Sequence, residues 1–387
     1  MKVIGWQRSL PGFRFRAAID AIDQGSGTSN GRDVREPQPA RARVPAMAGG
    51  VADADASLRG AWMATAERGS LTALSLLRWF YGRFGRRASV ASLTPIVAYY
   101  FVTGRAARRA SMDYLRTLWA APRERAALGQ PPTWSHVFRH LHEFAENLLD
   151  RLIVWSGDAE RIHVDERGTE QLLELARQRR GGILLGSHLG SYDMLRLLSE
   201  RTGVVVNVLM FTRNSARINA FFERLNPGLE VRLIHFEPGS LRAAFEMKAA
   251  IDRGEFVGMM GDRVWDSERA RSLSVPFLGR RARFPLGPFL LQAALGCPLF
   301  LTVCVRTGPG RYAASTQPLA PAGVVPRRDR TKRVEDLARR YAAALEEWCV
   351  RAPYQWFNFF DFWHDESGAP VSPKSEGTRA ENSASAA

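Results

Sequence analysis

The sequence predicts an α/β fold, with a mostly parallel central sheet flanked by helices and a helical N-terminal portion in front of it. Three observations predict it. Between residues 61 and 156, apolar residues recur at helical spacing. From residue 164 onward, short apolar runs alternate with stretches of helix length, which is the pattern of successive α/β units. Those runs are continuous rather than alternating, as strands buried on both faces of a parallel sheet require.

The elements follow in order. Residues 1–57 are rich in Gly, Ser, Pro, Arg, Asp and Ala, and the stretch 24–43 has no apolar period, so this segment is expected to be disordered. Residues 366–387 read the same way. A first helix is predicted over 61–84, carrying Trp62, Leu71, Leu74, Trp79 and Phe80. Residues 88–104 carry no charge, contain Pro95, and are flanked by Arg86, Arg87 and Arg105. That length is short of the roughly 20 apolar residues a spanning helix needs. Two readings stand for it: a segment lying at or dipping into a membrane face, or a buried core helix. Further helices are predicted over 111–119 and 134–155, the latter with Val137, Leu141, Phe144, Leu148 and Leu152 near one stripe.

In the second half, helices are predicted at 170–180, 193–201, 215–225, 241–253, 285–295 and 333–350. Strands are predicted at 181–187, 204–210, 231–236, 256–261 and 298–305, with 311–317 as an edge strand. The division is therefore a disordered 1–57, a helical membrane-docking portion over 58–160, an α/β domain over 161–365, and a tail over 366–387.

Composition narrows the partners. Lys plus Arg is 54 against 39 for Asp plus Glu, giving +15, and hydrophobic residues make up 45%. The excess favours an anionic partner: nucleic acid, which would make the chain a basic nucleic-acid-binding protein, an anionic membrane surface or an acidic protein. A solvated, Arg-rich surface gives the same count. No helix-turn-helix, zinc or base-stacking signature accompanies the charge, so nucleic acid is not the expected partner. Cys297, Cys304 and Cys349 sit in apolar surroundings without metal spacing, which points to a reducing compartment and no disulfide framework. The first ten residues lack the apolar core of a signal peptide, so secretion is not expected. His136 and His140 stand four apart with His142 beside them. No carboxylate or Cys completes a ligand set, and no metal is expected.

The chemistry centres on Ser187-His188-Leu189-Gly190-Ser191-Tyr192-Asp193. In open α/β sheets, sites form beyond the carboxyl ends of strands. His188 falls there, after a predicted strand and before a predicted helix. With His188 in the turn and Asp193 in the first helical turn, the carboxylate can reach back to the imidazole. A carboxylate accepting the Nδ1–H fixes the tautomer, presents Nε2 as a proton acceptor and stabilises the imidazolium. Such a His acts as general base on a hydroxyl that attacks a thioester carbonyl directly.

This pattern resembles the lysophospholipid acyltransferase superfamily, whose signature is His, four residues, then Asp or Glu. More closely, the chain is similar to the bacterial lipid A biosynthesis acyltransferases, the lauroyl and myristoyl transferases of the inner membrane. The residues that carry the resemblance run from about Trp62 to Trp363. They include Glu67-Arg68-Gly69-Ser70, Gly85-Arg86-Arg87, Pro95-Ile96, Arg109-Ala110-Ser111, the block from Gly182 to Asp193, Arg213-Asn214, Gly261-Asp262-Arg263, Val275-Pro276-Phe277-Leu278-Gly279 and Phe284-Pro285-Leu286-Gly287-Pro288.

The resemblance implies a glycerolipid acyltransferase-like fold and a set of roles. His188 is the base and Asp193 its orienter. Arg213 matches an arginine that holds phosphate or the developing oxyanion, as a guanidinium fork suits. Asp262 and Arg263 follow another strand and face the same crevice. Gly190 lies in the turn beside His188, and Gly287 precedes a helix whose free N–H groups take an anion; both count as substrate-binding. The implied donor is an acyl carrier protein or coenzyme A thioester, with no cofactor and no metal. The implied acceptor is a hydroxyl on a lipid A precursor or related glycolipid, at the cytoplasmic face of the inner membrane. Asp193 stands where these enzymes usually have Glu, and the run Trp356-Phe357-Asn358-Phe359-Phe360-Asp361-Phe362-Trp363 looks more like the divergent relatives associated with aryl polyene lipid pathways. An aryl polyene or ornithine-type lipid is thus the alternative acceptor. The aromatic run is expected either to pack as core or a final strand, or to line the acyl channel or sit in the lipid headgroup zone, where Trp is favoured.

Overall fold

The computed structural model describes residues 71–121, 127–211, 232–236, 242–264 and 271–363. The expected disordered ends, the helix at 215–225 and Arg213 lie outside the described residues, as do residues 61–70 at the front of the first predicted helix.

Among the described residues three helices come first: α1 (Leu71–Thr103), α2 (Arg105–Ala120) and α3 (Trp134–Trp155). Two predicted segments are joined in α1, which kinks at Gly85 (φ 75°), a backbone value that Gly adopts without the steric cost other residues meet. Past the kink, Ser89, Leu93 and Val97 face inward at intervals of four, while Ile96, Tyr99, Tyr100 and Val102 are exposed. Residues 88–103 therefore form a surface helix that buries one face and exposes a second, apolar one, and not a buried core helix. The predicted bounds of α3 are met; at its start the Thr133 hydroxyl and backbone pair with His136 in a capping box.

The second half is a seven-stranded sheet. Its strands are β1 (His163–Arg167), β2 (Gly182–Gly186), β3 (Val206–Phe211), β4 (Arg232–Phe236), β5 (Phe256–Met260), β8 (Leu299–Gly308) and β9 (Arg311–Ala320), and the hairpin β6 (Ser272–Phe277) and β7 (Arg280–Pro285) stands outside it. The order across the sheet is β1-β9-β8-β2-β5-β3-β4. Every neighbouring pair is parallel except β8 and β9. The predicted edge strand at 311–317 is a correction: β9 is interior, and β1 occupies that edge. Helices α4 (Glu170–Arg177), α5 (Tyr192–Thr202), α6 (Arg242–Asp252), α7 (Gly287–Leu295) and α8 (Arg330–Arg351) connect or cover the strands.

One core spans both halves. Met112, Leu115 and Leu118 of α2 and Val137 of α3 belong to the same buried cluster as Ile183 and Leu185 of β2, Val257 of β5 and Leu337, Tyr341 and Leu345 of α8. An ionic network adds a second join. Asp150 of α3, fully buried, takes Arg86 at 3.0 Å and the Tyr312 hydroxyl at 3.0 Å, while Arg306 of β8 reaches Glu146 at 3.0 Å. Charges buried this deeply persist because each is paired and hydrogen-bonded. The helices are thereby fixed against the sheet on the side where the strands end.

Candidate active site

Strands β2 and β5 are parallel neighbours, with Gly186 beside Met260. The pairing continues one step further, since Gly261 N–H donates to the Gly186 carbonyl at 3.0 Å. Adjacent strands lie about 4.8 Å apart, so the residues that leave them next emerge side by side. Those residues are Ser187-His188 and Asp262-Arg263. His188 Nδ1 lies 2.8 Å from Asp262 Oδ1, and the His188 backbone N–H donates to Asp262 Oδ2 at 2.9 Å.

A third segment closes the site. Residues 355–358 pass His188 like an extra strand, with Gly190 N–H donating to the Gln355 carbonyl at 2.8 Å and Phe357 N–H to the His188 carbonyl at 2.8 Å. The Trp356 indole N–H and the Asn358 amide donate to Asp262 Oδ2 at 3.0 and 3.1 Å. Arg263 gives its Nε–H to Asn358 Oδ1 at 2.9 Å and an Nη2–H to the Phe357 carbonyl at 3.2 Å, and stands over the Phe360 ring.

The electrostatics follow from this packing. Asp262 is fully buried, which by itself favours the neutral acid. The charge and hydrogen bonds of His188, then the nearby Arg263, outweigh that and hold the carboxyl well below the usual range. Burial, then Arg263, pushes the His188 pKa down against the pull of Asp262. The Arg263 guanidinium is brought down to about 10 by burial and still carries its charge at neutral pH. An ionised Asp262 only accepts, so the His188 proton sits on Nδ1 and the lone pair on Nε2. The His188 side chain is 27% exposed, and Nε2 has no hydrogen-bond partner among the described residues. The arrangement is a neutral, oriented imidazole with one open nitrogen, which has the chemistry a general base requires.

The sequence model of the family described as bacterial lipid A biosynthesis acyltransferase matches residues 136–365, more than half of the chain. The chain belongs to that family. It is thus an acyltransferase by family, and the sheet and flanking helices are of the kind the sequence predicts. Among solved structures, it is similar to the 1-acyl-sn-glycerophosphate acyltransferase PlsC from Thermotoga maritima. The identity is 13%, over 66% of this chain and 98% of that one, with a TM-score of 0.30. A comparison with curated proteins finds no significant match.

For this acyltransferase the structure rearranges the predicted roles. Asp193 does not orient His188: it points away from the turn and pairs with Arg151 Nε of α3 at 3.0 Å. The reason is geometric. Asp193 sits in the first turn of α5, which packs toward α3, whereas Asp262 leaves the strand next to β2 in register with His188. Asp262 is correspondingly not a substrate ligand, because both its oxygens are committed inside the protein. Arg263 lies beside the pair, held by Asn358 and the Phe357 carbonyl.

Gly190 is also reassigned. Its N–H is taken by Gln355, and the next, Ser191 N–H, by the Cys304 carbonyl at 2.7 Å, so neither is free for substrate. Its φ is 71°, and a Cβ there would lie 2.0 Å from the Cys304 oxygen. Gly190→Ala is therefore expected to lower unfolding free energy by at least about 2 kcal/mol in urea titration; an unchanged midpoint contradicts this reading of the turn. Gly287 opens α7, which packs on α8, and no described hydrogen bond links it to His188 or Asp262. Trp356 and Asn358 are donors to Asp262 that the sequence does not single out, since nothing in the aromatic run marks these two N–H groups for a carboxylate far away in the chain. His136 and His140 are packing residues, His136 in a helix cap and His140 fully buried.

Proposed function

We propose that this chain moves a fatty acyl group from an acyl carrier protein or coenzyme A thioester to a hydroxyl of a lipid A precursor or related glycolipid. His188 is the general base and Asp262 its orienter. The acceptor hydroxyl gives its proton to Nε2 as its oxygen attacks the thioester carbonyl. The imidazolium formed is stabilised by Asp262, and it returns the proton to the departing thiolate. Arg263 lies beside the pair, where its positive charge favours neutral His188 before the reaction. The observation that carries the reading is the 2.8 Å contact between His188 Nδ1 and a buried carboxylate, with Nε2 left open.

We place the reaction at the cytoplasmic face of the inner membrane, on a peripherally docked protein. Among the described residues, no helix is long and apolar enough to cross a membrane. Yet α1 exposes Leu76, Trp79, Phe84, Ile96, Tyr99 and Val102, and the chain carries +15. Aromatic residues with adjacent arginines suit the boundary between headgroups and acyl chains of an anionic bilayer. The same charge suits both donors, since acyl carrier protein is acidic and coenzyme A is polyanionic.

The test is transfer of a labelled acyl chain from each thioester, offered separately, to a membrane lipid extract containing lipid A precursors. A labelled lipid product is expected from one donor or both; no transfer from either contradicts the proposal. The pH dependence is a second expectation. Transfer needs neutral His188, so kcat/KM rises with pH through the His188 pKa and then levels. Burial and Arg263 set that pKa below the ordinary imidazole value of about 6.5, so the plateau is reached before neutrality. An acid limb centred above pH 7 contradicts it.

A further inference from the structure

The two oxygens of Asp262 are treated very differently. Oδ2 takes three donors: the His188 backbone N–H, the Trp356 indole N–H and the Asn358 amide. Oδ1 meets His188 Nδ1 alone among the described residues. Donors on one oxygen fix the plane of the carboxylate and draw its charge away from the other oxygen.

Trp356 is itself held in place. His140 Nε2 lies 3.1 Å from the Trp356 carbonyl, and His140 Nδ1 lies 2.8 Å from the Ser111 hydroxyl of α2. Burial takes the His140 pKa down to about 3, so this imidazole is neutral, with its proton on Nε2 toward the carbonyl. The Trp356 ring is 1% exposed and packed edge-on against Tyr114, Phe277 and Phe362. A hydrogen-bonded line thus runs from Ser111 through His140, Trp356 and Asp262 to His188. It joins the helical half of the chain to the site. The other ionisable groups near Asp262 are Arg263, which stays charged, and Tyr341 and Cys349 of α8, which burial keeps protonated.

Resting on the reading of His188 as the base, we propose that Trp356, Asn358 and, behind Trp356, His140 are positioning residues that saturate Oδ2 of Asp262 and so limit how strongly Oδ1 holds the His188 proton. Their loss leaves a more basic carboxylate, which favours the imidazolium. The His188 pKa rises, and less of the enzyme is in the base form at a given acidic pH.

The experiment is titration of His188 in the full chain by 15N-histidine NMR, with its resonance assigned by loss in His188→Asn. The pH profile of kcat/KM is measured alongside. Trp356→Phe keeps an aromatic ring and removes the donor. It is expected to raise the His188 midpoint by roughly half a unit or more, and to move the acid limb by the same amount. His140→Leu is expected to shift both in the same direction, and His140→Gln, which restores a donor to the carbonyl, to bring them back. Asn358→Leu is the second donor deletion, and decides the matter if Trp356→Phe fails to fold by near-UV circular dichroism. An unchanged or lowered midpoint in a folded donor-deletion variant overturns the proposal. The titration needs no substrate, so its failure is distinct from a failure to find acyl transfer.

Discussion

His188→Ala is expected to fold like the wild type and to lose transfer activity by about 10²–10⁴-fold in kcat, the usual contribution of a positioned general base. That loss corresponds to roughly 3–5 kcal/mol of transition-state stabilisation. Folding should survive because the hydrogen bonds that hold the turn come from its backbone. His188 N–H donates to Asp262 and its carbonyl accepts from Phe357 whatever the side chain. The change therefore removes the acceptor for the hydroxyl proton and leaves the crevice standing. KM for the thioester should move little, since a base acting on the acceptor holds none of the donor's binding energy. Labelled acyl transfer by both proteins under saturating donor measures it. Equal rates remove His188 from the mechanism.

Asp262→Asn is expected to be nearly as damaging, through the tautomer. The three donors that converge on Oδ2 oblige an Asn at this position to turn its carbonyl oxygen toward them. Its amide NH₂ then faces His188 Nδ1. A donor facing Nδ1 requires that nitrogen to be the unprotonated one, so the imidazole proton moves to Nε2. The nitrogen open to substrate becomes a donor, and the base is lost although nearly every atom stays in place. A kcat loss of about 10³–10⁴-fold follows, with near-UV circular dichroism unchanged. Retention of more than a tenth of the wild-type rate is incompatible with this tautomer argument.

The local parts of the account were legible in the sequence. His188 follows an apolar run and precedes a helix, and that context alone puts it at a strand's carboxyl end. Helix α3 was legible to its bounds, because 22 residues of amphipathic period follow a Thr that can cap them. What escaped was non-local. Asp262 lies 74 residues from His188, and only the register of β2 on β5 brings them together. A spacing rule looks along one turn and finds Asp193, which in three dimensions serves Arg151 instead. Strand β1 also escaped, since only Val164 of its five residues is buried and its pattern is polar. The hairpin β6–β7 carries Arg280, Arg281 and Arg283 among its apolar residues, and no strand is predicted there. Trp356 and Asn358 belonged to a run whose hydrophobicity masked the two N–H groups that matter.

Asp262 and Asp193 offer the clearest separation. Both are carboxylates, and both fall in the motifs on which the family resemblance rests, but one is fully buried against His188 and the other is 23% exposed in an ion pair with Arg151. Partly exposed pairs of the second kind contribute up to about 1 kcal/mol. The decisive measurement is kcat for Asp262→Asn and Asp193→Asn, side by side on one acyl donor and one lipid acceptor. A fall of about 10³–10⁴-fold for Asp262→Asn, with Asp193→Asn within about tenfold of wild type, is what a His188–Asp262 pair predicts. The reverse order, with Asp193→Asn inactive and Asp262→Asn active, contradicts it.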